Sequence, residues 1–474
     1  MVDVTVVGSG PNGLAAAVTA ARAGLSVRIV EASDQLGGGL RSAELVESGF
    51  LHDVCAAVHP MALASPFFRE VNLSSRVEFR TPELSYAHLI RPGESGLAWR
   101  DLERTAAGLG RDGGRWRFLF EPLVRDSAHV FRATLNAPLA AAPRDYLRLV
   151  AVGVRAGLVR GGRGWFSDER AAGLMAGLAA HSCQNPTALA SSLIGVTLGV
   201  AAHADGWPVV VGGSQSIASA LIIELRSLGV VFETGQTVTD IRDTADSPIV
   251  LLDVTPRSFA DMASSQLDAR VTRAYRRFRY GPGVAKVDIT LDGAVPWSDP
   301  SIAQAGTVHF GGSAAEIVHS EREVIAGRYP DNPFILLSQP TVFDPSRAPA
   351  GKHTVWAYTH VPSGSARDQT DVIVRTIEAH APGFRDLIRG IHHTSAEQYS
   401  HYNLSYVGGD INGGANTLRQ IVARPRLGAS PWRTPLLGVY LCSASTAPGP
   451  GVHGMAGHLA AKAAIADRYR VASL

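Results

Sequence analysis

The chain has 474 residues, enough for about three domains or for two large interleaved ones around a sizeable core. A formal net charge of +2 offers no electrostatic footprint for nucleic acid, and 18% charged against 46% hydrophobic residues suits a large, well-buried globular enzyme. Cys55, Cys183 and Cys442 lie far apart with no C-x-x-C, which excludes a disulfide framework and a redox dithiol, and with them a disulfide reductase. The first strand starts at residue 2, which leaves no room for a signal or transit peptide, and there is no run of about 18 apolar residues, so nothing spans a membrane. A cytoplasmic location is expected, with peripheral membrane contact open.

Val4 to Val7 reads as a strand, Gly8-Ser9-Gly10-Pro11-Asn12-Gly13 as a tight turn, the Ala-rich stretch to Ala23 as a helix, and Val27 to Val30 as a second strand ending in Glu31 and Ala32. Gly8 makes the turn, Gly10 lets backbone approach a pyrophosphate, and Gly13 lets the helix sit close on the strand. The helix start offers unpaired N–H groups and a positive dipole end, and Glu31 is placed to accept from an adenosine ribose. A dinucleotide cofactor follows.

Gly37-Gly38-Gly39-Leu40-Arg41-Ser42 comes next, and then a loop-rich stretch that contains His59. Trp99 to about Ala202 is expected to be mostly helical, with Pro122, Pro138, Pro143 and Pro186 each near a helix start. Tyr146 to Phe166 combines Leu147, Leu149, Val150, Val152, Val154 and Leu158 with Arg144, Arg148, Arg155, Arg160 and Arg163, and ends in Trp165-Phe166. It reads either as a helix lying in a bilayer interface or as an ordinary cap helix whose arginines face water.

Pro208 to Val211, Ile217 to Ser227 and Val230 to Phe232 read as strand, helix and strand, without a second nucleotide fingerprint. Leu251 to Pro256 reads as another buried strand of the same domain. From Gly283 to about Val361, alternation with period two predicts an antiparallel sheet with one face for substrate, completed by a helix near Gln369 to His380 and by Gly390 to Tyr399. His392, His393 and His401 lack ligand spacing on one element, so no metal site is expected. Leu437 to Cys442 is a closing strand, and Pro448-Gly449-Pro450-Gly451-Val452-His453-Gly454 opens an Ala-rich helix whose N-terminus can face a charge-accumulating ring edge.

The Gly37 to Ser42 segment resembles the extended FAD motif of glutathione-reductase-like flavoproteins, in the amine oxidase and phytoene desaturase branch. Together with Tyr280-Gly281-Pro282-Gly283, Lys286-Val287-Asp288, Gly408 to Ile411, Ala423-Arg424-Pro425 and the closing motif, it makes the whole chain resemble the phytoene dehydrogenase-related FAD oxidoreductases. The likeness extends to the bacterial relatives of pyridine nucleotide-disulfide oxidoreductase domain-containing protein 2. The resemblance implies an α/β fold of the glutathione-reductase and p-hydroxybenzoate-hydroxylase kind: a Rossmann-like FAD-binding domain (1–75, 205–260 and 425–474) interleaved with an α+β substrate domain (76–204 and 261–424). The latter carries a mixed or antiparallel sheet and a helical cap at about 100–204.

The implied FAD-binding residues are Gly8, Gly10, Pro11, Asn12, Gly13, Glu31, Ala32, Gly37, Gly38, Gly39, Leu40, Arg41, Val238, Ser443, Gly451, Val452 and Gly454. Lys286, His59 and His453 are the candidates for catalysis; the resemblance further implies that the segment with His59 lies over the flavin and that Val238 falls in a strand whose backbone touches adenine. Lys286 resembles the amine oxidase lysine that holds a water at flavin N5. The implied chemistry is hydride removal by FAD from a carbon of a largely apolar substrate, with oxygen or quinone as acceptor. Amine oxidation, a redox-neutral isomerase or saturase, and a non-catalytic FAD-binding protein stay open, as does a homodimer.

Overall fold

A computed structural model describes residues 2–162 and 164–472. The first strand, Val4–Val7, is buried along its whole length because it lies at the centre of a parallel five-stranded sheet. The order is Val439–Leu441, Ile249–Leu252, Val4–Val7, Val27–Val30, Val231–Glu233. Parallel neighbours require crossovers that cover both faces, which explains why the central strands are apolar runs rather than alternating ones. Helix Pro11–Arg22 makes the first crossover and packs on the C-terminal helix Met455–Ala472. That contact needs glycine: a Cβ on Gly457 would lie 1.8 Å from the Asn12 carbonyl oxygen.

A seven-stranded sheet forms the second layer, in the order Ile388–Thr394, Gly283–Leu291, His353–Val361, Ile335–Ser338, Ala305–Phe310, Leu84–Arg91, Glu94–Trp99. From Gly283 to Val361 the pairings are antiparallel, as expected, and the parallel pairing of Ala305–Phe310 with Leu84–Arg91 makes the whole sheet mixed. Alternation sorts its two faces. Val287, Ile289, Leu291, Val355 and Ala357 pack with Ile373 and Ile377 of helix Thr370–His380, while Val284, Trp356, Tyr358 and Leu336 join the core on the other side.

Helices Gly113–Arg125, Ser127–Thr134, Pro143–Val159, Glu169–Ala180 and Leu189–Ala204 form the third layer. Pro143 does start a helix, but Pro122 lies inside Gly113–Arg125. Within Pro208 to Val211, Val209–Val210 is a strand and pairs antiparallel with Phe79–Arg80. Two other expectations change. Val238 is in irregular chain, not a strand. Tyr146 to Phe166 is not one helix; it ends at Val159 with Arg160 at φ +35°, and Phe166 turns inward against Trp116. Arg163 lies outside the described residues.

Candidate active site

One cavity of about 1160 Å³ connects the three layers. It begins over the glycine turn, passes strands Gly283–Leu291 and His353–Val361, and reaches Leu149 and Val152 of helix Pro143–Val159 and Leu193 to Leu198 of helix Leu189–Ala204.

At the turn, Gly8 has φ +97°, and a Cβ on Gly13 would stand 2.1 Å from the Gly8 carbonyl oxygen. Only glycine permits that approach of helix to strand. The Glu31 carboxylate accepts from Ser9 N (2.8 Å), Ser9 Oγ (2.6 Å) and Ser33 N (2.9 Å), with Arg41 at 3.6 Å. Ser9 Oγ in turn accepts from Gly37 N, at 3.1 Å, which ties the second glycine segment to the first. Gly38, at φ +54°, lies so close to the turn that a Cβ there would be 2.8 Å from Gly10 Cα.

This end of the cavity fits a dinucleotide on the structure's own terms. The turn is stripped of Cβ atoms, a helix N-terminus opens on it, and the buried Asn12 Oδ1 lacks a hydrogen-bond partner. Over the turn stands Asp253, whose Oδ2 accepts from Gly13 N at 3.0 Å. Burial, with Glu31 nearby adding to it, raises the Asp253 carboxyl from the ordinary 3.8 to about 7 against the opposing effect of the Gly13 and Gly10 N–H groups.

The middle of the cavity carries the three candidates for catalysis. Lys286 does not face solvent; it is 1% exposed, and its Nζ donates to Asp53 O (2.8 Å) and to Asp288 Oδ1 (2.6 Å) and Oδ2 (2.5 Å). Asp288 also has His52 Nδ1 at 3.3 Å. Ser214 Oγ donates to Ala56 O, so it accepts from His59 Nε2–H at 2.8 Å, and His59 Nδ1 is left as a bare acceptor. His453 is the converse. Its Nδ1 accepts from Met455 N at 3.0 Å, so Nε2 carries the ring proton, unpartnered. Burial lowers both rings to about 4, so both are neutral at pH 7.

Gly8, Gly10, Pro11, Asn12, Glu31, Ala32, Gly38, Gly39, Arg41, Val238, Gly451, Val452, His59, Lys286 and His453 line the cavity together. Gly13, Gly37, Leu40, Ser443 and Gly454 do not, and act one step behind it. Leu40 is core, and Ser443 Oγ donates to Val254 O at 2.7 Å, tying the ends of two parallel strands. A Cβ on Gly454 would meet Phe67 at 2.7 Å and Ala15 at 2.8 Å. Asp253 and Arg424 line the cavity without having been among the expected site residues, although Arg424 lies in the Ala423-Arg424-Pro425 motif. Asp253 follows a strand neighbouring the glycine turn, where the carboxyl ends of parallel strands place ligands, and that rule would have found it. Arg424, buried, bridges Ala444 O, Asn412 O and Asn416 Oδ1 from the cavity wall.

Residues 12–465 match the family described as flavin containing amine oxidoreductase. Pyridine nucleotide-disulfide oxidoreductase domain-containing protein 2 of Rattus norvegicus is 24% identical, over 98% of this chain and 93% of that protein. Phytoene dehydrogenase of Streptomyces griseus is 27% identical, over 76% and 73%. Among solved structures, putrescine oxidase bound to putrescine superposes with a TM-score of 0.59 at 15% identity, over 99% of both chains, which is a likeness of fold. With the stripped glycine turn and the cavity leading from it, these matches make the chain a member of the flavin-containing amine oxidoreductase family, an FAD-dependent oxidoreductase.

Proposed function

We propose that this oxidoreductase removes hydride from a carbon centre of a largely apolar small molecule and passes the electrons to oxygen or a quinone. The observation that carries the reading is the wall beyond the glycine turn. Leu149, Val152, Leu193, Ile194, Leu198, Leu336 and Trp356 line it, whereas the carboxylates on the cavity, Glu31, Asp253 and Asp261, belong to the parallel sheet's end. An alkylammonium held in that wall would find no carboxylate there among the described residues, while a hydrocarbon would lose only water.

FAD, when bound, supplies the hydride acceptor. The glycine turn, the N-terminus of Pro11–Arg22, Gly38 and Arg41 are proposed to hold its dinucleotide, and Gly451 and Val452 to face its ring. His453 offers an N–H donor and His59 a lone pair, neither bringing charge at pH 7. Lys286 is proposed to act as a fixed cation beside the ring, because its hydrogen bonds to Asp53 and Asp288 hold it in place. No strong base is required if a positioned substrate gives hydride directly.

The test is the visible spectrum of the flavoprotein, followed without oxygen as polyenes, fatty acyl compounds and amines are added in turn. Bleaching by a polyene or acyl compound is expected, with recovery on admitting air or a quinone. Bleaching by amines alone would replace this reading with amine oxidation, and a bound flavin that no compound bleaches would point to the isomerase or binding readings.

A further inference from the structure

Helix Pro143–Val159 has two apolar faces, and packing uses only one of them. Asp145, Val152, Ala156 and Val159 are buried against the rest of the protein, and Leu149 and Val152 reach the cavity. The opposite face carries Leu147, Val150, Val154 and Leu158, spaced three, four and four residues apart, so they form one stripe along the helix. Their exposures are 66%, 56%, 57% and 41%, and Tyr146 beside them is 42% exposed. Scattered exposed apolar residues are ordinary, but a continuous helical stripe is not.

The borders of the stripe are basic. Arg144 is exposed at its start and Arg160 at its end; Arg148 pairs with Asp126 at 2.6 Å, and Arg155 lies over the ring of Phe118, which is itself 55% exposed. The helix's acid, Asp145, points inward. We propose that this face docks on an anionic lipid bilayer, lying on it with the stripe in the acyl boundary and the arginines at the headgroups. No described helix is long and apolar enough to cross a membrane, so the contact is with the surface. Charge decides against a second copy as the occupant: a two-fold pairing on this face would set one row of arginines against another, whereas anionic headgroups neutralise it.

The location gives the contact a use, and this part rests on the apolar-substrate reading. The cavity runs under the same helix, so a bilayer-dissolved molecule would have a short path from the acyl boundary to the flavin end.

The experiment is flotation of the FAD-loaded protein with vesicles of phosphatidylcholine, with and without phosphatidylglycerol, using no substrate. Wild type should float with the phosphatidylglycerol vesicles and be released by salt. Leu147→Asp with Val154→Asp should lower vesicle affinity by at least about tenfold, as expected from putting charge where half-exposed aliphatic groups enter lipid. Unchanged flavin absorbance and melting temperature would show that the variant is folded. Wild type remaining in the soluble fraction with both vesicles overturns the proposal. So does equal binding by variant and wild type, or a dimer that the variant dissociates while vesicles bind neither. The reading of the substrate is decided separately, by flavin bleaching in detergent solution.

Discussion

Asp253→Asn is the most informative single change. In the free protein this carboxyl stands over the glycine turn, accepting from Gly13 N, and its value is raised to about 7 chiefly by burial. The sign follows from linkage. Below about pH 4 the group is neutral in folded and unfolded chains alike; between there and 7 the unfolded chain has released a proton that the folded one keeps, so stability falls as pH rises, and the loss is complete above 7. A shift of that size corresponds to about 4 kcal/mol; because Asp253 is only partly buried and faces the cavity, about 2 kcal/mol is the figure to expect.

Asparagine keeps an acceptor for Gly13 N–H and removes the charge. The apoprotein should therefore gain about 2 kcal/mol at pH 8 and nothing near pH 4, a change of roughly 2 °C in melting temperature for a chain of this size. A pyrophosphate at the glycine turn would meet the same charge, so FAD should bind up to about thirtyfold more tightly to the variant at pH 8, with the gap closing as pH falls. The assays are melting curves of apoprotein across pH and flavin-fluorescence titration. Parallel pH profiles for variant and wild type, or weaker FAD binding by the variant at pH 8, would refute the reasoning.

Arg347 is wholly buried, with Nη1 2.5 Å from Asp53 and Nε 3.0 Å from Asp344; Arg347→Met should cost about 3–5 kcal/mol by leaving both acids unpaired, and a loss below about 1 kcal/mol in denaturant titration would contradict this. Although burial pushes Asp53 up, Arg347, Ser214 and Ser42 hold it below the usual carboxylate range, so its contribution is present at neutral pH and lost on acidification, and the variant should show a flatter acid limb. Gly38→Ala should lower FAD retention through gel filtration by at least about tenfold, since its Cβ would press on Gly10. Gly351→Ala, equally left-handed at φ +75° but with open space around it, should retain FAD; equal retention by the two variants would remove the steric argument. His360 stands between Cys183 Sγ (3.2 Å) and Glu321 Oε1 (2.8 Å); burial opposes its protonation, but these two partners hold it well above its ordinary value. His360→Ala should cost about 3 kcal/mol by stranding Glu321, and a melting temperature like that of wild type would show the pair to be idle. Burial raises Cys55 to about 11 and holds Cys442 well above its ordinary value, so iodoacetamide at pH 8 should leave both unlabelled in the native protein; labelling by mass spectrometry would show that they are accessible.

The sequence by itself determined whatever depends on neighbours along the chain. The turn at Gly8 to Gly13, the strands on either side of it, the closing strand and helix, and the two faces of Gly283–Leu291 are local consequences of glycine placement and of periodicity, and they were legible without coordinates. Only the tertiary structure decided what depends on partners far away. Leu84–Arg91 joined Ala305–Phe310 in parallel, across more than two hundred residues, because the best pairing for an edge is chosen by packing and not by propensity. The sequence places Lys286 in an alternating strand, but its burial and its partners, Asp53 O and Asp288, come from the fold. Asp253 acquired its raised value from being folded against Gly13, and the stripe on Pro143–Val159 became an exposed face only when the other side of the helix was taken up by the core. Backbone conformation follows from short-range sterics, whereas the charge, burial and accessibility of a side chain follow from what the whole chain brings to it.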